Sequence, residues 1–190
     1  AAVVAARLAL TRGAACSTIS FCTVGLPGAL AKHGQIFYEI TLKRVGKYPQ
    51  IGWATPGFAP DGDNGVGDDA LSWAADGARR SLWHKGERPW SVSWRDDDVV
   101  GCAADIEKGS VWFGLNGVWV AAFEGEGKSW EQGVFPAMSG QHTHFSLNAT
   151  PRFAGPSPSF VNVAPPDEQP QLLHHEPGLL YLSKDAIIAE

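Results

Sequence analysis

The hydrophobic pattern of this chain has the two-residue period of strands and almost none of the 3.6-residue period of helices before residue 165. Alternation is visible in Phe37-Tyr38-Glu39-Ile40-Thr41-Leu42 and in Val99-Val100-Gly101-Cys102-Ala103-Ala104-Asp105-Ile106. Short apolar runs bounded by Gly, Pro, Asp and Asn predict strands at Val3–Leu10, Ser17–Thr23, Gln35–Lys43, Gln50–Ala54, Leu71–Ala75, Arg80–His84, Val99–Ile106, Val111–Gly114, Val118–Phe123, Gly133–Met138 and His144–Asn148. Many short antiparallel strands with turns between them argue for an all-β protein, a sandwich of two antiparallel sheets.

The stretch GSVWFGLNGVWVAAF, Gly109 to Phe123, is the clearest hairpin. Asn116-Gly117 supplies the two positive φ values of a type I′ turn. That turn sets Leu115 opposite Val118, Phe113 opposite Val120 and Val111 opposite Ala122, six apolar side chains on one face that should lie on a core. Trp112, Trp119 and Phe123 then share the other face, which a half-exposed strand would make polar. Either a Pro-rich exit segment or the tail covers those rings, or they form a patch for a partner. Wet, they would make an apolar surface of a kind that monomers seldom leave open.

Two long loops, Pro56–Asp69 and Lys85–Asp98, interrupt the strands, and binding residues concentrate on such loops. Thr150 to Pro170 is too rich in Pro to form a central strand. The expected organisation is a sandwich over 1–164, with N-terminal strands and the Pro-rich exit strap, and a tail over 165–190 packed on it. One short strand or helix is expected around Lys184–Ala189.

Composition narrows the function. The 190 residues carry a net charge of −5, and Lys and Arg are scattered apart from Arg79-Arg80, so there is no basic stripe to displace counterions from a nucleic acid. There is no run of about 20 apolar residues to insert in a membrane. Cys16, Cys22 and Cys102 are odd in number and fit neither a disulfide framework nor a zinc site, so they are expected as reduced, partly buried thiols in an intracellular, cytoplasmic protein. The only Met is Met138, and the sequence is expected to be part of a larger protein.

Six stretches then occur in a distinctive order: Phe37-Tyr38-Glu39-Ile40; Ile51-Gly52-Trp53-Ala54; Ser72 to Gly77 with Leu82-Trp83-His84; Asp98 to Asp105; Phe113 to Gly117; and Phe135-Pro136-Ala137-Met138-Ser139. In this order they resemble the SPRY domain, the core of the B30.2 module, over about Ile36 to Leu147. The GWATPGF and DVVGC stretches are most similar to the SPRY repeats of ryanodine receptors. The resemblance implies a concanavalin-like jelly-roll sandwich without catalysis or cofactor, binding a protein or peptide partner through loops at one end. Gly52 and Gly101 fit it, as strand glycines where a side chain would obstruct a neighbour. Trp53 and Trp73 are expected in the core.

Carried onto this chain, the family's peptide-contacting segments are Thr23 to Leu26, with Thr23, Val24 and Gly25 as contacts; Phe58 to Asp63, with Phe58 and Asp61; and Ser139, Gly140, Gln141 and His142. The chain departs from the peptide-capturing subfamilies: Ser139-Gly140 stands where they have Trp-Gly, and no Arg-x-Pro element precedes the first strand. Trp90 and Trp94 are further candidate anchors, since Trp is favoured at interface hot spots; their alternative is to cover the sandwich edge.

Other chemistries fit poorly. A sandwich glycosidase needs paired carboxylates, and the strand positions that would supply Glu-x-Asp-x-Glu read Ala103, Asp105 and Glu107. Asp105 is expected instead to close its strand and bond the turn before Gly109. An EF-hand counted from Asp61 has Gly65 at its fifth position and Ser72 at its last, so the loop is read as a solvated Gly/Asp turn. His142 and His144 lack a third ligand for zinc, His174-His175 is weaker still, and His84 reads as a capping residue. A carbohydrate-binding sandwich and a packing repeat within a large multidomain protein remain as alternative functions.

Overall fold

The computed structural model describes residues 9–11, 15–18, 20–125, 130–163 and 171–173. The strands are β1 (Ala9–Thr11), β2 (Ala15–Ser17), β3 (Cys22–Gly25), β4 (Gln35–Arg44), β5 (Lys47–Ala54), β6 (Ser72–Asp76), β7 (Ser81–Trp83), β8 (Glu87–Pro89), β9 (Val99–Asp105), β10 (Ser110–Leu115), β11 (Val118–Phe123), β12 (Phe135–Gln141), β13 (His144–Leu147), β14 (Val161–Asn162) and β15 (Gln171–Leu172). One 3-10 turn, Pro27–Ala29, follows β3. No helix among the described residues is long and apolar enough to cross a membrane.

The strands form two sheets. Sheet A runs β1-β2-β13-β4-β9-β10-β11, with β14 added to β4; sheet B runs β15-β3-β12-β5-β6-β7-β8. Among the described residues the pairings are antiparallel except β14 on β4. The sequence alternation explains the packing between them. Ile36, Tyr38, Ile40, Leu42, Val100, Cys102, Val111 and Phe113 of sheet A meet Val24, Ile51, Trp53, Trp73, Leu82 and Met138 of sheet B in one continuous core. Tyr38 crosses the layer: its ring lies edge-on to Trp53 at 4.9 Å, and its hydroxyl donates to the Gly52 carbonyl at 2.5 Å. Trp53 and Trp73 are fully buried, and so are the three free cysteines. Burial pushes the Cys22 and Cys102 thiols up to about 12.

The Asn116-Gly117 turn has both φ values positive, 49° and 86°. Beyond it the hairpin differs from the simple ladder. Leu115 and Phe113 do face Val118 and Val120, but a bulge between Val111 and Trp112 sets Val111 opposite Phe123 instead of Ala122. One extra residue flips the faces, so Phe123 turns into the core against Phe113 and not outward. Val118 is 70% exposed and Val120 is exposed as well, so these two do not lie on the core as the pairing pattern predicted.

Trp112 and Trp119 are covered by the exit strap. Phe160 packs edge-on to Trp112 at 5.5 Å, Phe37 packs edge-on to Trp119 at 6.2 Å, and the Trp119 Nε1–H donates to the Ala154 carbonyl at 2.9 Å. The Trp119 ring lies across Gly101 and Gly114, where any Cβ would collide with it. The buried Glu39 carboxylate fastens the strap by accepting the Arg152 and Phe153 amides at 2.7 and 3.0 Å.

The segment expected as one strand over Ser17–Thr23 is two, β2 and β3, lying in different sheets. Of the tail 165–190, residues 171–173 are described; the expected element at Lys184–Ala189 and His174-His175 lie outside the described residues, as do residues 3–8 of the first expected strand.

Candidate functional site

Sheet B has an outer face made by the positions that alternate with its core residues. Thr23 and Gly25 of β3, Phe135, Ala137 and Ser139 of β12, Gln50, Gly52 and Ala54 of β5, and Ser72 and Ala74 of β6 fall on it. The loop from Thr55 to Leu71 folds back over this face. Its apolar half rests on a small second cluster of Ala54, Val66, Ala74, Phe135 and Ala137, with Phe58, Trp83 and Leu173 against it.

Its polar half is pinned by hydrogen bonds. The Ser139 hydroxyl accepts the Val66 amide at 2.9 Å and pairs with the Thr23 hydroxyl at 2.7 Å. The Gly67 amide donates to Ser72 Oγ at 2.7 Å. Asp68 accepts the Gly65 amide at 2.7 Å and the Gln50 side-chain amide at 3.1 Å. Burial raises the Asp68 carboxyl above its ordinary range, although these two donors pull it back. Asp61 accepts the Asp63 and Asn64 amides at 2.8 and 2.7 Å, an Asx-type turn that shapes the tip of the loop.

Between the loop and the start of β5 opens a groove of about 490 Å³, lined by Phe21, Tyr48, Gln50, Gly62, Asp63, Asn64, Asp68, Arg79 and Trp83. Arg79 forms one wall. Its guanidinium lies 4.2 Å from the Trp83 ring and 5.1 Å from the Tyr48 ring, and its Nε–H donates to the buried Asp76 carboxylate at 2.5 Å. This clamp holds two aromatic rings and a cation in fixed relation. Tyr48 is 46% exposed and has a φ of 53°, uncommon for a non-glycine residue. Phe21 meets it edge-on at 6.3 Å. At the floor, Gln50 is almost fully buried and its Oε1 has no hydrogen-bond partner.

The structure brings together the three segments that the sequence singled out, but on a sheet face under a loop. Thr23 and Ser139 touch each other, and Ser139 touches the 55–71 loop, yet Thr23, Val24, Gly25, Ser139 and Gly140 are all buried. Phe58 is half-buried in the loop's apolar half, and the Asp61 carboxylate is engaged within the loop. Gln141, half-buried, pairs with Lys47 beside Tyr48, and His142 is exposed on the turn.

Trp90 and Trp94 are not exposed anchors. They are 8% and 6% exposed, and Trp90 packs against Trp94 and Phe113. The amides of Trp90 and Trp94 donate to the Arg80 and Gly77 carbonyls, which folds their loop over the open side of the core. Asp105 closes its turn by accepting the Lys108 amide at 3.0 Å, and His84 Nδ1 lies 2.9 Å from the Ser72 carbonyl. Among the described residues no group of three or more His, Cys, Asp or Glu is arranged to hold a metal ion.

Sequence reasoning missed Phe21, Tyr48, Gln50, Arg79 and Trp83 as groove residues. The available signal was the outward half of the β5 alternation, Tyr48-x-Gln50, opposite the core positions Ile51 and Trp53.

The chain is 37% identical over 123 residues to the E3 ubiquitin-protein ligase RKP of Arabidopsis thaliana. That match covers 62% of this chain and 10% of the relative, so the chain spans about a tenth of the relative's length. The sequence pattern of the SPRY domain matches residues 35–151, the span from β4 to the end of β13 that builds most of both sheets. With the ordered motifs, the two antiparallel sheets and this match in agreement, the chain belongs to the SPRY domain family, whose members are protein-interaction modules.

Proposed function

We propose that this domain binds a short segment of a partner protein in the groove over the outer face of sheet B, without catalysing a reaction, and recruits that partner to a larger protein. The observation that carries the reading is the aromatic clamp: Tyr48, Trp83 and Arg79 converge around a concave site whose floor holds the unpartnered Gln50 Oε1. Such a site takes apolar side chains against its rings and fixes their register by a few polar groups. The named relative, a ubiquitin ligase, is consistent with recruitment of a protein to a multidomain enzyme. Three buried thiols with raised values suit a reducing, intracellular setting.

The test compares wild type with Tyr48→Asn, which removes the ring while keeping a residue tolerant of positive φ, and with Val118→Ser on the exposed strand β11. Proteins retained by wild type are expected to be lost with Tyr48→Asn and kept with Val118→Ser, with the unfolding midpoint of both variants within about 2 °C of wild type. Retention unchanged by Tyr48→Asn would place the contact surface elsewhere.

A further inference from the structure

The two outer edges of sheet B are guarded differently. At one end β8 reads Glu87-Arg88-Pro89, and two charges and a proline blunt it against pairing. At the other end β3 reads Cys22-Thr23-Val24-Gly25, with no charge, no proline and no break in its pairing with β12. This edge is covered by the chain's own strand β15. Gln171 pairs with Gly25 and Leu172 with Val24, and the Leu173 amide donates to the Thr23 carbonyl at 3.0 Å.

The fit has a side-chain component. A Cβ on Gly25 would lie 2.8 Å from Leu173 Cδ1 and 2.9 Å from Phe135 Cε2. The missing side chain thus opens a notch against the Phe135 ring, and Leu173 fills it, joining the apolar cluster on the outer face. Two paired residues and one leucine are a small cover for an edge of this kind. We propose that the β3 edge is a strand-accepting site, which the tail occupies in cis and which an extended segment of another protein, bearing an aliphatic residue at the Leu173 position, occupies in trans. In strand addition the main chain supplies affinity and alternate side chains supply specificity; here Thr23, Val24 and Gly25 offer the first and the Gly25–Phe135 notch the second. This edge does not depend on the groove being a binding site.

The experiment uses the full chain and a labelled synthetic peptide of residues 167–175, DEQPQLLHH, as the probe in trans. A tail docked nine-tenths of the time lowers the apparent affinity of a competing strand about tenfold. The expected result is that Leu173→Asp in the protein, which undocks the tail, tightens peptide binding at least about tenfold. The same peptide carrying Leu173→Asp should bind neither protein measurably. Gly25→Val in the Leu173→Asp protein fills the notch and should abolish binding; the altered peptide reads the same notch without changing the protein. The proposal is overturned if Leu173→Asp binds the peptide no more tightly than wild type, or if the altered peptide binds as well as the native one. A wild-type dimer that Leu173→Asp dissolves would overturn the assignment to a foreign segment, by showing the tail of a second copy in its place.

Discussion

Removing the Glu39 carboxylate should lift the exit strap. Glu39 is 1% exposed, and its two oxygens accept the amides of Arg152 and Phe153 at 2.7 and 3.0 Å. Each hydrogen bond to a charged group contributes about 1.5–3 kcal/mol, so the pair sets a ceiling of about 3–6 kcal/mol. Arg152 and Phe153 are themselves exposed, so their freed amides regain water, and Glu39→Ala should cost about 2–3 kcal/mol. Glu39→Gln keeps one acceptor and turns an NH₂ toward the other amide, for about 1–2 kcal/mol. Trp119→Ala attacks the same strap one residue further along, at Ala154. It removes the ring contact with Phe37, about 0.5–1.5 kcal/mol, and the bond to the Ala154 carbonyl, about 1 kcal/mol. If the strap closes as a unit, releasing either hold removes part of what the other contributes. Equilibrium urea unfolding of Glu39→Ala, Trp119→Ala and the double variant should then show the double falling short of the sum by at least about 1 kcal/mol. A loss below about 0.5 kcal/mol for Glu39→Ala, or additivity within about 0.5 kcal/mol, would refute the clasp.

Gly52→Ala sets a Cβ onto the Trp73 carbonyl of the neighbouring strand, a backbone atom that cannot step aside; thermal unfolding should show a loss of about 3 kcal/mol or failure to fold. The Asp105 carboxyl is buried, which alone would raise its pKa, but the Gln35 amide and the Lys108 amide and ammonium hold it below its ordinary value of 3.8. Its contribution is therefore complete above the unfolded-state value and is lost as pH falls through the lower folded value; Asp105→Asn should lower stability at pH 7, with a difference from wild type that shrinks below about pH 4 in acid-titrated unfolding. The three thiols should resist a thiol reagent such as dithionitrobenzoate at pH 8 and react together only as urea unfolds the sandwich, since Cys16, Cys22 and Cys102 are buried with raised pKa values. Rapid reaction of any one thiol in the folded protein would contradict its placement.

What the sequence made legible was whatever depends on period two and on local turn chemistry. The alternation of β4 and β9 places their core residues correctly, and Asn116-Gly117 makes the turn it promises. Gly52 and Gly101 are read as close approaches and prove to be so, against the Trp73 carbonyl and the Trp119 ring. What stayed hidden depends on pairings that no local periodicity records. The Val111/Trp112 bulge, which moves Phe123 to the core, is a property of the ladder and leaves no local mark. Trp90 and Trp94 sit in a polar loop, and only the Arg80 and Gly77 carbonyls that bind their amides reveal that the loop folds inward. β14 and β15 pair over two residues each, too short for any periodic signal. The groove was legible in its neighbourhood but not in its lining, because its clamp joins Tyr48 to Arg79 and Trp83, more than thirty positions further along the chain.

The two outer faces are roofed by different physics, and this bears on the proposal that the groove of sheet B takes a ligand. The strap on sheet A is held by aromatic rings laid over glycines and by one buried carboxylate, so the apolar surface it covers is used up in stability. The roof on sheet B adds to its apolar cluster a set of polar groups of the strands: Ser139, Ser72 and Gln50 each reach a partner in the 65–68 stretch of the loop. A loop retained only for burial would be served as well by apolar contacts, since a hydrogen bond nets little over water. Directional bonds do something that apolar contact cannot: they fix the loop backbone at one height above the sheet. The groove beside it is thereby held in shape by the loop's own bonds, and a ligand bound there as proposed would be spared the cost of ordering the loop. Two of the groove's lining residues, Gln50 and Trp83, each carry a buried polar atom without a hydrogen-bond partner, Oε1 and Nε1.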